Sequence, residues 1–465
     1  MPYRSSLCLM ASLVRERQVS PVELLAAHLR QIEAQNPRLN AFVRILEDDA
    51  RHDAVAAEVA VMRGDPLGLL HGVPLTVKDS FDMAGLPTLA GSRFRRGHRA
   101  AADSTAVARL RAAGGVILGK TNLPEFLTTW ETDNHITGRT NNPWDLERTA
   151  GGSSGGEAAA IAAYCSAGGI GSDGGGSIRI PAHFSGIAGL KPTPGRVSAA
   201  GHFPHICHPG GLLGVAGPMA RTAQDVRLLF ATLAGYDSQD PFSAPVPLRP
   251  PVLDGIRMGV MEQWYDNPVD PEIVAAVRRA AGLLETLGIP AVPFQPHGVE
   301  RAPEVWWFFF GRVNAPPLRA LIAGREQDAF STLIEFLDDA ARDPGPDATE
   351  LLAMLAARDA LRCAFLRQMD ESPVLLLPPC GTVAFPHGAR RYDAGGRTIG
   401  LREAMMPATF VNLFGLPAMV IPFGVSAAGL PIGIQLVGRP YDEELLLEIA
   451  VRLEEARGPF PGPPL

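Results

Sequence analysis

Residues 72–79, GVPLTVKD, alternate apolar and polar side chains, and a period of two predicts a short strand. The chain before it has a helical period. Ser20-Pro21-Val22-Glu23 offers an N-cap, a proline at the first helical position and an acidic first turn. Leu24, Leu25, His28, Leu29 and Ile32 then recur on one helix face. Residues 5–60 as a whole read as helices. Further on, residues 101–113 predict a helix and residues 115–118, GVIL, a buried strand. Residues 157–167 predict a helix of small side chains ended by Gly168-Gly169. Strand and helix signals alternate in this way to about residue 235. A Pro-rich stretch, PFSAPVPLRPPVLDG, reads as a surface crossover, because apolar periodicity resumes at Ile256. Residues 303–370 are mainly helical. Strands are expected over 418–423 and 432–437, and a helix over 443–456.

This alternation predicts an α/β fold, with a mixed, twisted central β-sheet covered by helices on both faces. The chain begins and ends in the same style. The simplest organisation is one domain over residues 1–465, with N-terminal helices over 1–60 and a variable, largely helical insertion over 236–400.

Composition changes this picture in four places. The net charge of −7 and the lack of a basic run argue against nucleic acid as a partner. No stretch approaches about 18 uncharged apolar residues, and no apolar leader precedes a small-residue cleavage site, so no membrane association is expected and the cytoplasm is the default compartment. The five cysteines are odd in number and widely spaced, which suits a reducing compartment rather than a disulfide framework. The fourth point is lysine. Of 42 basic residues only Lys78, Lys120 and Lys191 are lysines. Arginine stays protonated, whereas a buried amine can lose its proton, so each lysine is a candidate for chemistry that arginine cannot perform.

Two Gly/Ser clusters flank the small-residue helix. The first is Arg148-Thr-Ala-Gly-Gly-Ser153-Ser-Gly-Gly-Glu157, and the second is Gly171-Ser-Asp-Gly174-Gly-Gly-Ser177-Ile-Arg179. Consecutive glycines can aim several N–H groups at one point, and such a nest just before a serine is where an oxyanion hole belongs. The plain alternative, two flexible turns, does not account for Asp173 and Arg179 bracketing the glycines. Three other motifs fail on context. Gly151-Gly-Ser153-Ser-Gly155 lacks the preceding strand of a nucleophile elbow. Residues 114–121 match the phosphate-binding G-x-x-x-x-G-K-[ST], but their interior reads as a strand instead of a loop. The run from Gly201 to His208, GHFPHICH, matches no zinc spacing, so no metal and no cofactor is expected.

With these motifs the chain resembles the amidase signature family. The matching segments are HGVPLTVKD (71–79), GKTNLPEF (119–126), NNPW (141–144), both Gly/Ser clusters, GLKPTPGRVS (189–198), GPMARTAQD (217–225), FVNLFGLPAMVIPFG (410–424) and GLPIGIQLVG (429–438). They cover most of the chain apart from residues 236–400. The resemblance implies a Ser–cisSer–Lys triad of Ser177 as nucleophile, Ser153 as relay and Lys78 as neutral base, with a cis peptide bond before Ser153. It also implies an oxyanion hole of the N–H groups of Gly174, Gly175, Gly176 and Ser177, with Lys120 and Lys191 structural. Asp173 and Arg179 are read as a clamp on the loop. No histidine is needed. In one departure, Gly174 replaces a residue usually larger in the family, commonly Thr or Ile, which clears space beside the nucleophile.

Leu127, Thr128 and Trp130 follow a matched segment and are candidate pocket residues. The run Trp306-Trp-Phe-Phe-Phe310 is either an aromatic pocket wall or a buried helix face. Apolar candidates without a carboxylate clamp favour a small-molecule hydrophobic amide, an anilide or a carbamate, cleaved through an acyl-enzyme. The rival readings are the glutamine-hydrolysing subunit of a tRNA-dependent amidotransferase, a non-catalytic scaffold and a Ser-His-Asp esterase. The resemblance also suggests a homodimer.

Overall fold

The computed structural model describes residues 2–207 and 210–465. Its N-terminal part runs α1 (Leu7–Arg15), α2 (Pro21–Leu39), β1 (Phe42–Ile45), α3 (Glu47–Arg63), β2 (Pro74–Lys78), α4 (Thr105–Ala112), β3 (Val116–Thr121), α5 (Gly155–Ala162), β4 (Gly168–Asp173), α6 (Arg179–Ser185), β5 (Ala188–Lys191), β6 (Val215–Ala220) and α7 (Ala223–Leu233). Then follow β7 (Met258–Val260), α8 (Pro271–Thr286), β8 (Ala291–Pro293), α9 (Ala302–Trp307), α10 (Ala315–Ile322), α11 (Ser331–Ala340), α12 (Ala348–Gln368) and β9 (Val374–Leu377). The chain ends with β10 (Arg391–Ala394), β11 (Arg397–Gly400), α13 (Leu401–Leu413), β12 (Ala418–Val425), β13 (Pro431–Gly438) and α14 (Glu443–Arg457).

Eleven strands form one sheet in the order β1-β3-β2-β4-β6-β5-β12-β13-β9-β7-β8. The sheet is mixed. β3, β2 and β4 run parallel, as do β9, β7 and β8, and the strands between them pair antiparallel. Helices cover it, so the α/β expectation holds. β10 and β11 form a separate hairpin turned by Gly395-Gly396, both at positive φ as a two-residue turn requires. No helix among the described residues is long and apolar enough to cross a membrane.

Local chemistry explains most boundaries. Ser20 caps α2 with a full capping box, its hydroxyl accepting from the Val22 and Glu23 N–H groups while Glu23 reaches back. The expectation of helices throughout 5–60 is corrected by β1. Asn40 takes a left-handed conformation (φ 52°) that ends α2, and Phe42–Ile45 then pairs antiparallel with β3. The small-residue helix also ends earlier than its composition suggests, at Ala162, and Gly168-Gly169 opens the buried strand β4. At Gly169 a Cβ would collide with the Glu157 carboxylate and the Thr76 carbonyl, so these glycines serve close approach and not helix termination. Residues 236–400 carry more than helices. β7, β8 and β9 lie within them and extend the same sheet, because short apolar strands of three or four residues leave little periodic signal.

The burial pattern of β2 positions the site. All five residues are buried, but Leu75 and Val77 join the main apolar core, whereas Thr76 bonds Glu157 of α5. Lys78 follows Thr76 by two residues and shares its side of the sheet. β2 and β4 are parallel neighbours, and both chains leave the sheet at the same end, where α/β sheets place their ligand crevices.

Candidate active site

Lys78 ends β2, fully buried. Its Nζ lies 2.7 Å from Ser153 Oγ, 2.9 Å from Ser154 Oγ and 3.0 Å from Ser172 Oγ. Burial pushes the amine well below its usual pKa, and the charges of Asp173 and Glu157 oppose this only in part. Glu157 itself is a buried acid pushed up to about 7 by desolvation, with its oxygens accepting from Thr76 Oγ1 and from Thr121 Oγ1 at 2.7 Å. Lys78 is thus ringed by hydroxyls and touches no carboxylate.

Ser153 and Ser154 precede the first turn of α5, and the Gly152–Ser153 peptide bond is cis. Gly152 has to be glycine, since a Cβ there would sit 2.6 Å from Thr129 O and 2.7 Å from Trp130 C, both backbone atoms. Ser177 follows the glycine run after β4 and is the triad candidate that reaches the cavity. The Ser177 carbonyl accepts from the Ser154 N–H at 3.2 Å, which ties the two Gly/Ser clusters together. Among the described residues no hydrogen bond joins the Ser153 and Ser177 hydroxyls.

The loop between them is held by a buried clamp. Arg179 donates Nε to Asp173 Oδ2 and Nη2 to Asp173 Oδ1, both at 3.0 Å, and Nη1 to Gln435 Oε1 at 2.6 Å. Asn412 Nδ2 also donates to Asp173 Oδ1, at 2.9 Å. Burial alone would raise Asp173, and the Arg179 guanidinium overrides it and holds the carboxyl well below the usual range. The clamp corrects one expectation. The Gly176 N–H donates to Asp173 Oδ1 at 2.7 Å and is not free for an oxyanion. The N–H groups of Gly174, Gly175 and Ser177 donate to no acceptor among the described residues, and Gly175 and Ser177 line the cavity.

That cavity, about 1030 Å³, opens beside Ser177. Leu127, Thr128 and Trp130 line it as expected, together with Trp306, Trp307 and Phe310. The aromatic run resolves into both of its readings. Phe308 and Phe309 are buried in the core, while the other three rings form the wall. Trp306 and Phe310 are stacked, 4.6 Å apart and 15° from parallel. The space beside Gly174 is real but shallow, because a Cβ there would meet Phe310 Cε2 at 3.6 Å. At the rim the charges pair off, Arg390 with Glu131 and Glu335, and Arg342 with Asp339.

The other sequence candidates lie elsewhere. Lys120 is buried against Asp79 at 2.7 Å, and Lys191 donates to Pro192 O. No histidine bonds Ser153 or Ser177 among the described residues. His183, lowered to about 4 by burial, accepts at Nδ1 from the Gly433 N–H. In the 201–208 run His202 is buried with Nδ1 2.8 Å from Pro204 O, and His208 lies outside the described residues. Sequence reasoning missed Ser154 and Ser172 as neighbours of Lys78. Their only signal was position: Ser154 directly follows Ser153, and Ser172 lies in the second cluster, ahead of Asp173 and the glycine run.

The sequence model of the Amidase family matches residues 23–447. The chain is 34% identical to a glutamyl-tRNA(Gln) amidotransferase subunit of Salinispora arenicola, over 98% of each chain. It is also 34% identical to an indoleacetamide hydrolase of Bradyrhizobium diazoefficiens, over 96% of this chain and 86% of that one. The crystal structure of a bacterial aryl acylamidase of the amidase signature family superposes with a TM-score of 0.88 at 30% identity, over 97% and 96% of the two chains. Agreement along nearly the whole length, in sequence and in fold alike, places the chain in the amidase signature family, as an enzyme that hydrolyses carbon–nitrogen bonds of amides.

Proposed function

We propose that the enzyme cleaves an amide bearing a bulky apolar, aryl-type group through an acyl-enzyme on Ser177, with Ser153 as relay and Lys78 as base. The observation that carries this reading is the set of partners around Lys78. A neutral amine has two N–H donors and one lone pair. Three hydroxyl oxygens stand within 3.0 Å of Nζ; on this reading Ser154 and Ser172 accept the two N–H groups, and the lone pair is left to take the Ser153 proton. An ammonium buried there would face no counter-ion in contact.

The steps follow from this polarity. Lys78 takes the Ser153 proton as Ser153 takes that of Ser177, and the Ser177 oxygen attacks the carbonyl carbon. The N–H groups of Gly175 and Ser177 receive the developing oxyanion. Ser153 returns a proton to the leaving nitrogen, the C–N bond breaks, and water clears the ester by the same relay. The aromatic wall supports an apolar substrate, and the two relatives named for indoleacetamide and for aryl acylamides carry aromatic groups in those names. A carbamate fits the same chemistry.

The test is hydrolysis of an anilide, an aliphatic amide, a carbamate and a nitrophenyl ester by wild type and by Lys78→Ala, Ser153→Ala and Ser177→Ala. Each substitution is expected to cost orders of magnitude, and activity surviving Ser177→Ala would reject the nucleophile. The length of the match to the Salinispora protein favours a second reading, glutamine amide hydrolysis within an amidotransferase. Turnover of anilides by the isolated chain, with none of glutamine, excludes it.

A further inference from the structure

Three consecutive glycines have almost no backbone preference of their own, so something else has to aim the N–H groups of residues 174–176. Two tryptophans do this on successive peptides. Trp130 Nε1 donates to Gly175 O at 3.2 Å, and Trp306 Nε1 donates to Gly174 O at 2.9 Å. In a trans peptide the N–H lies opposite the carbonyl in one plane, so fixing a carbonyl fixes the next residue's N–H. The first contact sets the Gly175–Gly176 peptide, whose N–H points to Asp173. The second sets the Gly174–Gly175 peptide, whose N–H belongs to cavity-lining Gly175 and has no acceptor among the described residues.

Resting on the reading of Ser177 as nucleophile, we propose that Trp306 is a positioning residue of the oxyanion hole. Its indole N–H holds the Gly174 carbonyl and so aims the Gly175 N–H at the reacting carbonyl oxygen. The indole can do this because it is immobile. It is 2% exposed, stacked on Phe310, and packed so closely over Gly175 that a Cβ there would collide with its ring. The same ring forms part of the cavity wall, so an apolar substrate group packed on it presses on the element that aims the donor. Substrate fit and carbonyl activation are thereby linked through one side chain.

Trp306→Phe keeps a ring against Phe310 and removes the N–H. Two probes read the consequence: the second-order rate at which an alkyl fluorophosphonate labels Ser177, and kcat and KM for 4-nitrophenyl acetate. Deleting an oxyanion donor outright costs about 10²–10³ in rate, and loosening one should cost about tenfold. The expected result is a loss of that size in labelling rate and in kcat, with KM within about twofold. Adding Gly174→Ala, whose Cβ has room at 3.6 Å from Phe310, stiffens the freed peptide and should restore part of the loss. Replacing Trp306 by benzothienylalanine, which keeps the bicyclic shape without the N–H, gives the same reading if the Phe variant folds poorly. An unchanged kcat and labelling rate in either variant, or a loss confined to KM, overturns the proposal. Ser177→Ala is the control. If it still labels, the nucleophile reading fails and takes this one with it; if it does not and Trp306→Phe labels at full rate, only the role of Trp306 fails.

Discussion

Asp173→Asn is an isosteric change at the centre of the loop that carries Ser177, and its cost can be worked from the contacts. The carboxylate accepts from two guanidinium nitrogens and the backbone N–H of Arg179, from the Gly176 and Ile178 N–H groups and from Asn412. Asp173 and Arg179 are both fully buried. Asparagine removes the counter-charge of a guanidinium whose other partners are the neutral oxygens of Ala408, Gln435 and Asn412. It also puts an NH2 donor where every neighbour donates. Breaking a buried ion pair from one side costs about 3–5 kcal/mol, two to nearly four powers of ten in the folding equilibrium. The sign of the pH dependence follows from the depressed carboxyl. In the wild type this stabilisation is full above the unfolded-state pKa of about 4 and is lost as pH falls through the lower folded value. The difference between wild type and variant should therefore be constant near neutrality and shrink in strong acid. Urea unfolding followed by tryptophan fluorescence, at pH 7 and at successively lower pH, measures it. A variant within about 1 kcal/mol of wild type at pH 7 would refute the clamp.

Four further outcomes follow. Because burial holds Lys78 well below its usual pKa, kcat/KM should rise with pH along one limb and level off well short of 10.5; a limb at the ordinary lysine value would contradict a neutral base. The same depression means that the unfolded chain binds more protons between the two pKa values, so Lys78 makes stability rise with pH across that interval. Gly152→Ala should abolish hydrolysis and lower the unfolding temperature, since its Cβ meets Thr129 O at 2.6 Å with only backbone to yield; retained turnover would show that the turn can relax. Lys120→Met leaves Asp79 buried without its partner and should cost about 3–5 kcal/mol in urea, while fluorophosphonate labelling per folded molecule persists.

The parts of this molecule that were legible in the sequence are those where local chemistry repeats or is costly. The period-two run of β2, the capping box of Ser20 and the glycine clusters all announce themselves within ten residues, and they sit where the pattern put them. Four-residue β1 and three-residue β7 and β8 did not, because so short a run carries at most two cycles of alternation and owes its conformation to a partner strand elsewhere in the sequence. The same holds at the site. Gly176 looked like one donor among equals, and only the position of Asp173, folded back across the loop, shows that its N–H is spoken for. Trp306 stands out as part of an aromatic run, but nothing local ties it to the carbonyl it holds, 132 residues away.

The three lysines show why contact chemistry, and not rarity or burial, singles out Lys78 as the proposed base. All three are fully or almost fully buried, and burial pushes each amine down. Lys120 sits 2.7 Å from a carboxylate, which opposes the push and makes the pair an internal salt bridge. Lys191 reaches about 7 and, among the described residues, bonds a backbone carbonyl and no side chain, so it has no side-chain partner with which to exchange a proton. Lys78 alone is ringed by hydroxyls, each able to give or take a proton, and one of them stands before the turn into α5, across from Ser177. Moving a carboxylate next to Lys78, as in Ser172→Asp, should therefore convert the base into a strut. The amine would be held protonated, the fold kept, and hydrolysis lost at neutral pH. A Ser172→Asp enzyme that kept its wild-type rate and pH profile would show that the lack of a carboxylate in contact is not what lets burial hold Lys78 neutral.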